Sequence, residues 1–231
     1  MNKEDLNKLI KNLPDKPGIL GKDEFFNSSV LIPLVKYKNE YNFLFEKRAK
    51  NIRQGGEICF PGGEHNPAID KDFEDTAIRE TTEEIGVWHD RIKIVGSLDT
   101  IIGPRGVTVD SCIGILSIRN INECTIDRSE VEKIFTVPVS YFETNKPKKY
   151  KVISKNIHTF YNDEGIEEDL IPSGKNAMDE HIDKSYREFI RTVLVYKTHG
   201  EIIWGITARL IFEVILKLTM NNKKLVRDKS N

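Results

Sequence analysis

The sequence predicts an α/β (α+β) fold in which strands and helices alternate along one chain. Two apolar, strand-like runs lie close together at residues 30–35 and 41–45, with a polar turn between them. Apolar residues recur at helical spacing over residues 72–85, and a second apolar helix is predicted over residues 206–219. Because the recognisable motifs extend over most of the chain, we interpret residues 1–231 as a single domain.

A short N-terminal helix is predicted over residues 3–12, because Leu6, Leu9 and Ile10 lie at helical spacing and Pro14 follows. The central region reads as further strands, which we place at residues 57–60, 92–102 (bulged or broken near Gly96) and 107–118.

The helix over residues 72–85 is predicted to bury one apolar stripe. Thr81 is small enough to lie on that stripe, and Gly86 ends the helix. The stripe consists of Phe73, Ala77, Ile78, Thr81 and Ile85.

The last third of the chain predicts more irregular structure. Residues 130–144 suggest a helix broken by Pro138, and residues 148–162 a hairpin that turns near Lys155 and Asn156. Residues 162–188 are polar and carry glycine and proline, which is typical of a loop or an insertion. A final hairpin turns near His199 and Gly200. Trp204 opens the last helix and is expected in the core, and the basic tail at 221–231 is expected to fray.

The composition restricts the kinds of molecule that the protein is expected to bind and the compartment in which it is expected to lie. Charged residues make up 31% of the chain and the formal net charge is -1, which argues against a nucleic-acid or membrane-surface binder. The three cysteines lack the spacing of a metal site, which favours a reducing compartment. The N-terminus is polar, and no apolar run approaches the roughly 20 residues of a membrane-spanning helix. These observations predict a cytoplasmic protein, and they leave a homodimer open.

Three glutamates stand out in residues 80–84. Glu80, Glu83 and Glu84 lie at i, i+3 and i+4, so a helix places them on one face, which we expect to face solvent. Arg79 can reach Glu83 at i+4, but a divalent cation is the better counter-charge for three carboxylates. Carboxylate oxygens suit Mg²⁺ or Mn²⁺.

These residues carry a family resemblance. Arg79-Glu80 and Glu83-Glu84-x-Gly86-Val87, behind Gly62-Gly63, resemble the box of the Nudix hydrolases. Three features of the sequence depart from that box. Thr81 stands at an apolar position, Lys71 replaces the spacer glutamate between Asp70 and Asp72, and the spacer after Gly63 is longer than the common form.

A second stretch is similar to the coenzyme A pyrophosphatase branch of that family. Arg48-Ala49, Arg53 and Gly56 precede Phe60-Pro61-Gly62-Gly63, with one residue fewer between Arg53 and Gly56 than in the branch pattern. Trp204-Gly205 and Thr207-Ala208-Arg209 resemble the segment that opens its last helix. The resemblance covers residues 29–140 and 192–219 and leaves 141–191 unmatched.

The resemblance implies a sandwich with a mixed sheet between helices and a metal-dependent enzyme. It implies Glu80 and Glu84 as ligands of Mg²⁺ or Mn²⁺, and Glu83 as a further ligand or the group that orients water. Arg79 is expected to orient Glu83. Which glutamate, Glu83 or Glu84, acts as general base stays open.

The implied substrate is a small-molecule nucleotide, with coenzyme A or an acyl-coenzyme A as the leading candidate. Arg48 and Arg53 are expected to contact its phosphates, and the main chain at Gly62 and Gly63 to approach the metal or phosphate closely. Two alternatives stay open. One is hydrolysis of ADP-ribose, a dinucleoside polyphosphate or ppGpp; the other is a Nudix-fold sensor that binds nucleotide without cleaving it.

Overall fold

The computed structural model describes residues 1–104, 106–155, 159–162, 164–169, 188–198 and 200–220. Within the described residues the strands are β1 (Phe26–Tyr37), β2 (Glu40–Arg48), β3 (Ile58–Cys59), β4 (Gly62–Glu64), β5 (Ile92–Ser97), β6 (Ile101–Gly103), β7 (Val107–Leu116), β8 (Val131–Pro138), β9 (Lys148–Lys155), β10 (Thr159–Tyr161), β11 (Glu167–Asp169), β12 (Glu188–Lys197) and β13 (Ile202–Trp204). The α-helices are α1 (Lys3–Asn12), α2 (Phe73–Ile85), α3 (Val139–Thr144) and α4 (Gly205–Thr219).

The chain divides into two compact units. The first comprises Met1–Leu34 and Pro61–Asp127, and the second comprises Val35–Phe60 and Arg128–Asn231. The interpretation of the whole chain as one domain therefore stays a prediction.

The first unit contains a mixed sheet. β1 pairs with β4 in antiparallel register, with Ser28 opposite Glu64. β7 pairs with both β5 and β6 in antiparallel fashion, and the irregularity in β5 lies beside Gly96, as predicted. β1 and β7 are neighbours in this sheet. The Phe26 amide donates to the carbonyl of Gly106, and two residues further along both strands the Ser28 hydroxyl donates to the carbonyl of Thr108, so the strands run in the same direction. Further along both strands, Cys112 Sγ lies beside the carbonyl of Val30.

Helix α2 has the ends that the sequence predicts. The Asp72 side chain accepts hydrogen bonds from the amides of Glu74 and Asp75, which caps the N-terminus. Gly86 ends the helix in the left-handed conformation with φ of 69°. A Cβ at Gly86 would lie 2.5 Å from the carbonyl oxygen of Thr125, so only glycine fits there.

Three of the five residues in the predicted apolar stripe of α2 are confirmed as core residues. Ala77, Thr81 and Ile85 are fully buried, so the threonine at the usual apolar position is part of the core. The Thr81 hydroxyl donates to the carbonyl of Ala77, which satisfies its polar group inside the helix.

The core of the second unit is aromatic. Phe45 stacks on Phe60 with ring centroids 4.9 Å apart, and Phe43 meets Phe142 edge-on at 5.6 Å. Tyr196 of β12 packs against Phe142 at 5.1 Å. β2 lies between β3 and β8, and β12 lies between β9 and β13 in a three-stranded sheet. Helix α4 attaches to β3 through the Thr207 hydroxyl, which donates to the carbonyl of Ile58.

Two sequence predictions in this unit are wrong. Residues 131–138 form strand β8 and only residues 139–144 are helical, because β8 pairs with β2 along its length, with Phe135 opposite Phe45. Long-range pairing therefore outweighs the local helical pattern. Residues 148–162 do not form a hairpin, since β9 pairs with β12 while β10 pairs with β11.

Other parts of this unit follow the sequence more closely. β12 and β13 form the predicted final hairpin, and α4 covers the predicted last helix. Trp204 is 43% exposed, so the expectation of a core tryptophan is wrong. The predicted loop at 162–188 and the tail at 221–231 lie largely or wholly outside the described residues.

Candidate functional site

The glutamates of α2 meet the glycine turn in the first unit. Glu84 accepts a hydrogen bond from the Gly62 amide at 2.8 Å. Its residue is only 3% exposed, which fixes the carboxylate against the turn. The expectation that all three glutamates face solvent is therefore wrong for Glu84. The side chain of Glu83 is 59% exposed and lies on the open side of the helix.

The two glycines of the turn are required for different reasons. Gly62 has φ of +154°, and a Cβ there would lie 2.3 Å from the carbonyl oxygen of Ser29. At Gly63 a Cβ would lie 2.4 Å from the carboxylate carbon of Glu80. Gly62 is therefore needed for the fold, whereas Gly63 leaves room for the carboxylate of Glu80.

Arg79 holds the acidic groups of this region together. Its Nη1 donates to Glu80 at 2.7 Å and to Glu83 at 3.1 Å. Its Nε and Nη2 donate to the two oxygens of Asp70 at 2.8 and 3.0 Å, a forked pairing. The contact with Glu83 agrees with the sequence prediction.

Asp70 is the residue that sequence reasoning missed. It is buried, and the hydrogen bonds from Arg79 hold the pKa of its carboxyl well below the usual range. The same bonds raise the pKa of the Arg79 guanidinium. The signal in the sequence was the departure in the box, where Asp70 adjoins the lysine that replaces the spacer glutamate. Asp70, one residue before the position of the spacer glutamate, forms an ion pair with Arg79.

The network continues beyond Asp70 to residues with no predicted role. The Thr76 hydroxyl donates to Asp70 Oδ2 at 3.0 Å, and His65 Nδ1 lies 2.8 Å from that hydroxyl. The His65 ring packs against Phe73 with centroids 4.3 Å apart. Packing and hydrogen bonds thus fix Asp70, and Asp70 fixes Arg79.

Arg48 and Arg53, the predicted phosphate contacts, lie in the second unit. Arg48 Nε donates to the carbonyl of Arg53 at 3.1 Å. The main chain of Arg48 also bonds Gly56 and Glu57, which closes the intervening loop. The loop has one residue fewer than the branch pattern, and Gln54 adopts a left-handed conformation with φ of 57°. Arg48 therefore supports the loop that presents Arg53.

The donor chemistry of α2 fits a divalent cation. Glu80 lies where a Cβ at Gly63 would stand, and Glu84 is oriented by the glycine turn, so two hard oxygen donors adjoin one stretch of main chain. Among the residues that the structure describes, no three histidine, cysteine, aspartate or glutamate side chains are already gathered as metal ligands. Arg79 holds Glu80 and Glu83, so a cation would have to compete with that guanidinium.

An acidic helix bonded to a glycine turn, in an α+β chain with a mixed sheet, defines the class of protein as one that carries a Nudix box. The NUDIX domain model matches residues 26–155, more than half of the 231 residues. The chain belongs to the NUDIX family, whose hydrolases act on pyrophosphate bonds and generally use divalent metals.

Several relatives share this region. Nudix hydrolase 3 of Caenorhabditis elegans is 36% identical over 139 residues, which cover 56% of this chain and 57% of that protein. The peroxisomal coenzyme A diphosphatase NUDT7 of Mus musculus is 33% identical over 115 residues, covering 49% of this chain and 48% of the relative. The mitochondrial coenzyme A diphosphatase NUDT8 of Homo sapiens is 26% identical over 137 residues, covering 58% of each. The chain thus spans about half the length of these relatives.

No helix in the described part of the chain is long and apolar enough to cross a membrane.

Proposed function

We propose that this protein hydrolyses coenzyme A or an acyl-coenzyme A to 3′,5′-ADP and (acyl) 4′-phosphopantetheine, with Mg²⁺ or Mn²⁺ as cofactor. The observation that carries the hydrolytic part is the hydrogen bond from the Gly62 amide to buried Glu84, which joins the acidic helix to the glycine turn. The substrate is supported by the names of the mouse and human relatives and by the stretch from Arg48 to Gly63.

The reaction adds water across a phosphoric anhydride. A P–O bond of the diphosphate breaks, the oxygen of water joins one phosphorus, and the proton of water leaves to a base. A bound divalent cation supplies charge neutralisation for the diphosphate. Glu80 and Glu84 are the residues that would hold it, because both adjoin the glycine turn.

Glu83 and Glu84 are the candidates for accepting the proton of water. Glu83 is exposed and accepts one hydrogen bond from Arg79, so its carboxylate can turn toward solvent. Glu84 is buried and fixed, which suits a ligand better than a mobile base. Arg79, locked by Asp70, orients Glu80 and Glu83 from one side. This gives Arg79 a positioning role.

Of the two arginines that the sequence predicts as phosphate contacts, Arg48 and Arg53, one is assigned the direct contact in this proposal. A guanidinium pairs with phosphate through a planar fork of donors, and coenzyme A carries a 3′-phosphate besides its diphosphate. Because Arg48 Nε bonds the carbonyl of Arg53, we assign the direct contact to Arg53 and the support of the loop to Arg48.

The test is a product assay of the purified full chain with Mg²⁺ or Mn²⁺. Coenzyme A is expected to give 3′,5′-ADP and 4′-phosphopantetheine with a higher kcat/KM than ADP-ribose, a dinucleoside polyphosphate or ppGpp. Mass spectrometry after reaction in ¹⁸O-water identifies the attacked phosphorus. Cleavage of another diphosphate with coenzyme A intact overturns the substrate and leaves the hydrolase. Binding of nucleotide without any cleavage establishes the sensor instead.

The role of Arg53 is tested on coenzyme A against dephospho-coenzyme A. If Arg53 contacts the 3′-phosphate, Arg53→Ala lowers kcat/KM for coenzyme A and has little effect on dephospho-coenzyme A. Arg48→Ala, which releases the loop, is expected to lower both. Equal losses for both substrates in the Arg53 variant remove the 3′-phosphate contact.

A cytoplasmic location is part of the proposal, supported by three cysteines, an odd number without the spacing of a metal site, which favour a reducing compartment. The mouse and human relatives are named peroxisomal and mitochondrial, so cell fractionation of the native protein decides the compartment. A homodimer is checked by light scattering of the purified chain.

A further inference from the structure

One face of the three-stranded sheet in the second unit is largely exposed and carries aromatic and basic side chains. Side chains on a strand alternate between the two faces of a sheet, and residues paired across strands share a face. Tyr196 and its partner Ile203 are buried, and Tyr196 packs on Phe142, so their face belongs to the core. We call the opposite face the aromatic face. It consists of Phe189, Arg191, Val193, Val195 and Lys197 on β12, Lys148, Tyr150, Val152 and Ser154 on β9, and Ile202 and Trp204 on β13.

The aromatic face exposes three rings and two aliphatic side chains. Trp204 is 43% exposed, Tyr150 49% and Phe189 63%. Ile202 and Val152 on the same face are exposed as well. Single exposed apolar residues are ordinary on a protein surface, but a contiguous set of them marks a surface that binds another molecule. Binding at this face would explain the exposure of Trp204, which the sequence did not predict.

The aromatic face is also positively charged. It carries Lys148, Arg191 and Lys197 and no acidic residue. None of these three cations forms an ion pair with a residue that the structure describes, whereas Lys133 in the same unit pairs with Glu201 at 2.7 Å. A face with three cations and no carboxylate repels a second copy of itself and fits an anionic partner.

Arg191 points independently to a ligand. Its side chain is half-buried in the face, and its Nε atom is shielded from solvent without a hydrogen-bond partner in the described part of the chain. A buried donor without a partner is destabilising, and an anionic oxygen bound by the guanidinium would offset that cost. The planar fork of donors in a guanidinium is suited to phosphate.

Aromatic and basic side chains alternate along this face. Successive residues on one face of a strand lie about 7 Å apart, so the residues of the face form rows at that spacing. Phe189 is followed in the next row by Arg191, and Tyr150 lies in the third row. Lys148 and Trp204 share the fourth row, on either side of β12. A single-stranded oligonucleotide has the matching pattern, because its bases stack on aromatic rings and the phosphates between them pair with cations. A lipid bilayer fits less well, since a face that buried its rings in lipid would also bury the cations between them.

We propose that the aromatic face binds single-stranded nucleic acid, whose bases stack on Trp204, Tyr150 and Phe189 and whose phosphates pair with the three cations. The balanced net charge led to the expectation of no nucleic-acid binding, but net charge averages over the whole chain, whereas these cations are local. The face lies in the second unit and the proposed metal ligands lie in the first, so this proposal does not rest on the proposed hydrolytic function.

The test is a fluorescence titration of the full chain carrying Trp88→Phe. Because the chain has two tryptophans, the emission of this variant reports Trp204 alone. The probe is a single-stranded RNA hexamer with a 5′-hydroxyl end, which has no phosphoric anhydride to hydrolyse. The DNA hexamer of the same sequence is titrated in parallel, and tighter binding of one of them identifies the sugar that the face prefers. The proposal expects saturable quenching, with a slope of log K against log salt of about −2 for three phosphates in a single strand.

Two further probes separate the alternatives. An abasic hexamer keeps the phosphates and lacks the bases, so it should bind about tenfold more weakly or worse. Equal binding of the abasic hexamer, or no saturable quenching with either hexamer, overturns the proposal. Binding to phosphatidylserine vesicles without binding to the hexamers would identify a membrane surface instead. Self-association of the chain that buries Trp204 in the absence of nucleic acid would identify a second copy as the partner.

Two variants on opposite faces of β9 test the cations. Lys148→Gln should weaken binding severalfold and reduce the salt slope by about 0.7, the contribution of one phosphate in a single strand. Lys151→Gln is the matched control, because Lys151 is an exposed lysine of the same strand and its side chain lies on the opposite face. An equal change of slope in both variants would contradict the contact with Lys148 and show only general attraction to a basic strand.

A third variant tests the stacking without the use of Trp204. Tyr150→Leu keeps an apolar side chain at an exposed position, so the fold should be little affected. Binding of a fluorescently labelled RNA hexamer, measured by anisotropy, should weaken about tenfold, the loss expected when one base loses its aromatic partner. Unchanged binding in this variant would remove the stacking from the proposal and overturn it.

Discussion

Glu84 combines a buried carboxylate with a hydrogen bond from the main chain of the glycine turn. We predict that Glu84→Gln lowers kcat by a factor on the order of 10², as expected when a preorganised charge at the reacting centre is lost. The amide oxygen of glutamine can still accept from the Gly62 amide, so thermal unfolding should shift little.

Glu74→Gln is the matched control for that experiment. Glu74 is an exposed glutamate of the same helix and is neither a proposed metal ligand nor a candidate base, so this variant should keep the wild-type turnover. Turnover at the wild-type rate in Glu84→Gln would remove Glu84 from the hydrolytic site.

The contribution of Asp70 to the free energy of unfolding is predicted to depend on pH. Its pKa is lowered from the ordinary value of 3.8, mainly by the hydrogen bonds from Arg79. A group with a lowered folded-state pKa stabilises the protein above its unfolded-state pKa, and that stability is lost as the pH falls through the folded-state pKa. Asp70→Asn should therefore lower the free energy of unfolding by about 2–3 kcal/mol near neutral pH, since Asp70 is buried and Arg79 is partly exposed.

Urea unfolding over a pH series checks this expectation. The difference between wild type and Asp70→Asn should be constant above pH 3.8 and shrink below it. Asp75→Asn, an exposed carboxylate of the same helix, should show no such pattern. A difference that grows as the pH falls would contradict the assignment of Asp70. Because Asp70 acts through Arg79, kcat should also fall while KM changes little.

At the scale of elements, the turn of β4 and helix α2 depend on each other through two glycines. At Gly62 the obstacle is main chain, the carbonyl of Ser29, together with a φ that side chains rarely adopt. At Gly63 the obstacle is the end of a flexible side chain, that of Glu80, which can move. The same substitution should therefore have different effects at adjacent positions.

We predict that Gly62→Ala lowers the free energy of unfolding by about 2 kcal/mol or more, because the backbone is strained and must shift. Gly63→Ala should keep most of the stability but displace Glu80, so the affinity for Mn²⁺ should fall about tenfold or more. Chemical denaturation and metal titration of both variants measure the two effects. Equal loss of stability in both would show that Glu80 has no separate role at the turn.

The elements also show which parts of the fold a sequence can reveal. The ends of α2 were predictable because Asp72 and Gly86 act locally, through a cap and a left-handed turn. The strand β8 was not, since its residues become extended by pairing with β2, which lies about ninety residues earlier in the chain.

At the scale of the whole molecule, the site was predictable to the extent that it lies on one helix. Glu80, Glu83 and Glu84 are placed by helical spacing alone, and so is the contact from Arg79 to Glu83. The burial of Glu84 and the role of Asp70 depend on how the glycine turn and the loop before α2 pack, which spacing does not encode. Lys71, at the position of the spacer glutamate, pointed to this part of the spacer as unusual. It did not show that the neighbouring Asp70 pairs with Arg79.

The charge of this region leads to the last prediction. Asp70, Glu80, Glu83 and Glu84 carry four negative charges and Arg79 one positive charge, so the cluster has a net charge of 1 − 4 = −3. Such an excess should favour a divalent cation in the folded state over the unfolded chain. A ligand that binds only the folded state, present at one hundred times its Kd, stabilises that state by about 2.7 kcal/mol.

We therefore predict that Mn²⁺ or Mg²⁺ raises the temperature of thermal unfolding and that excess chelator reverses the shift and abolishes hydrolysis. Glu80→Gln should reduce the shift, whereas Glu143→Gln, an exposed carboxylate of α3, should not. Full turnover in excess chelator would show that hydrolysis needs no cation, and an equal thermal shift in both variants would place the cation elsewhere.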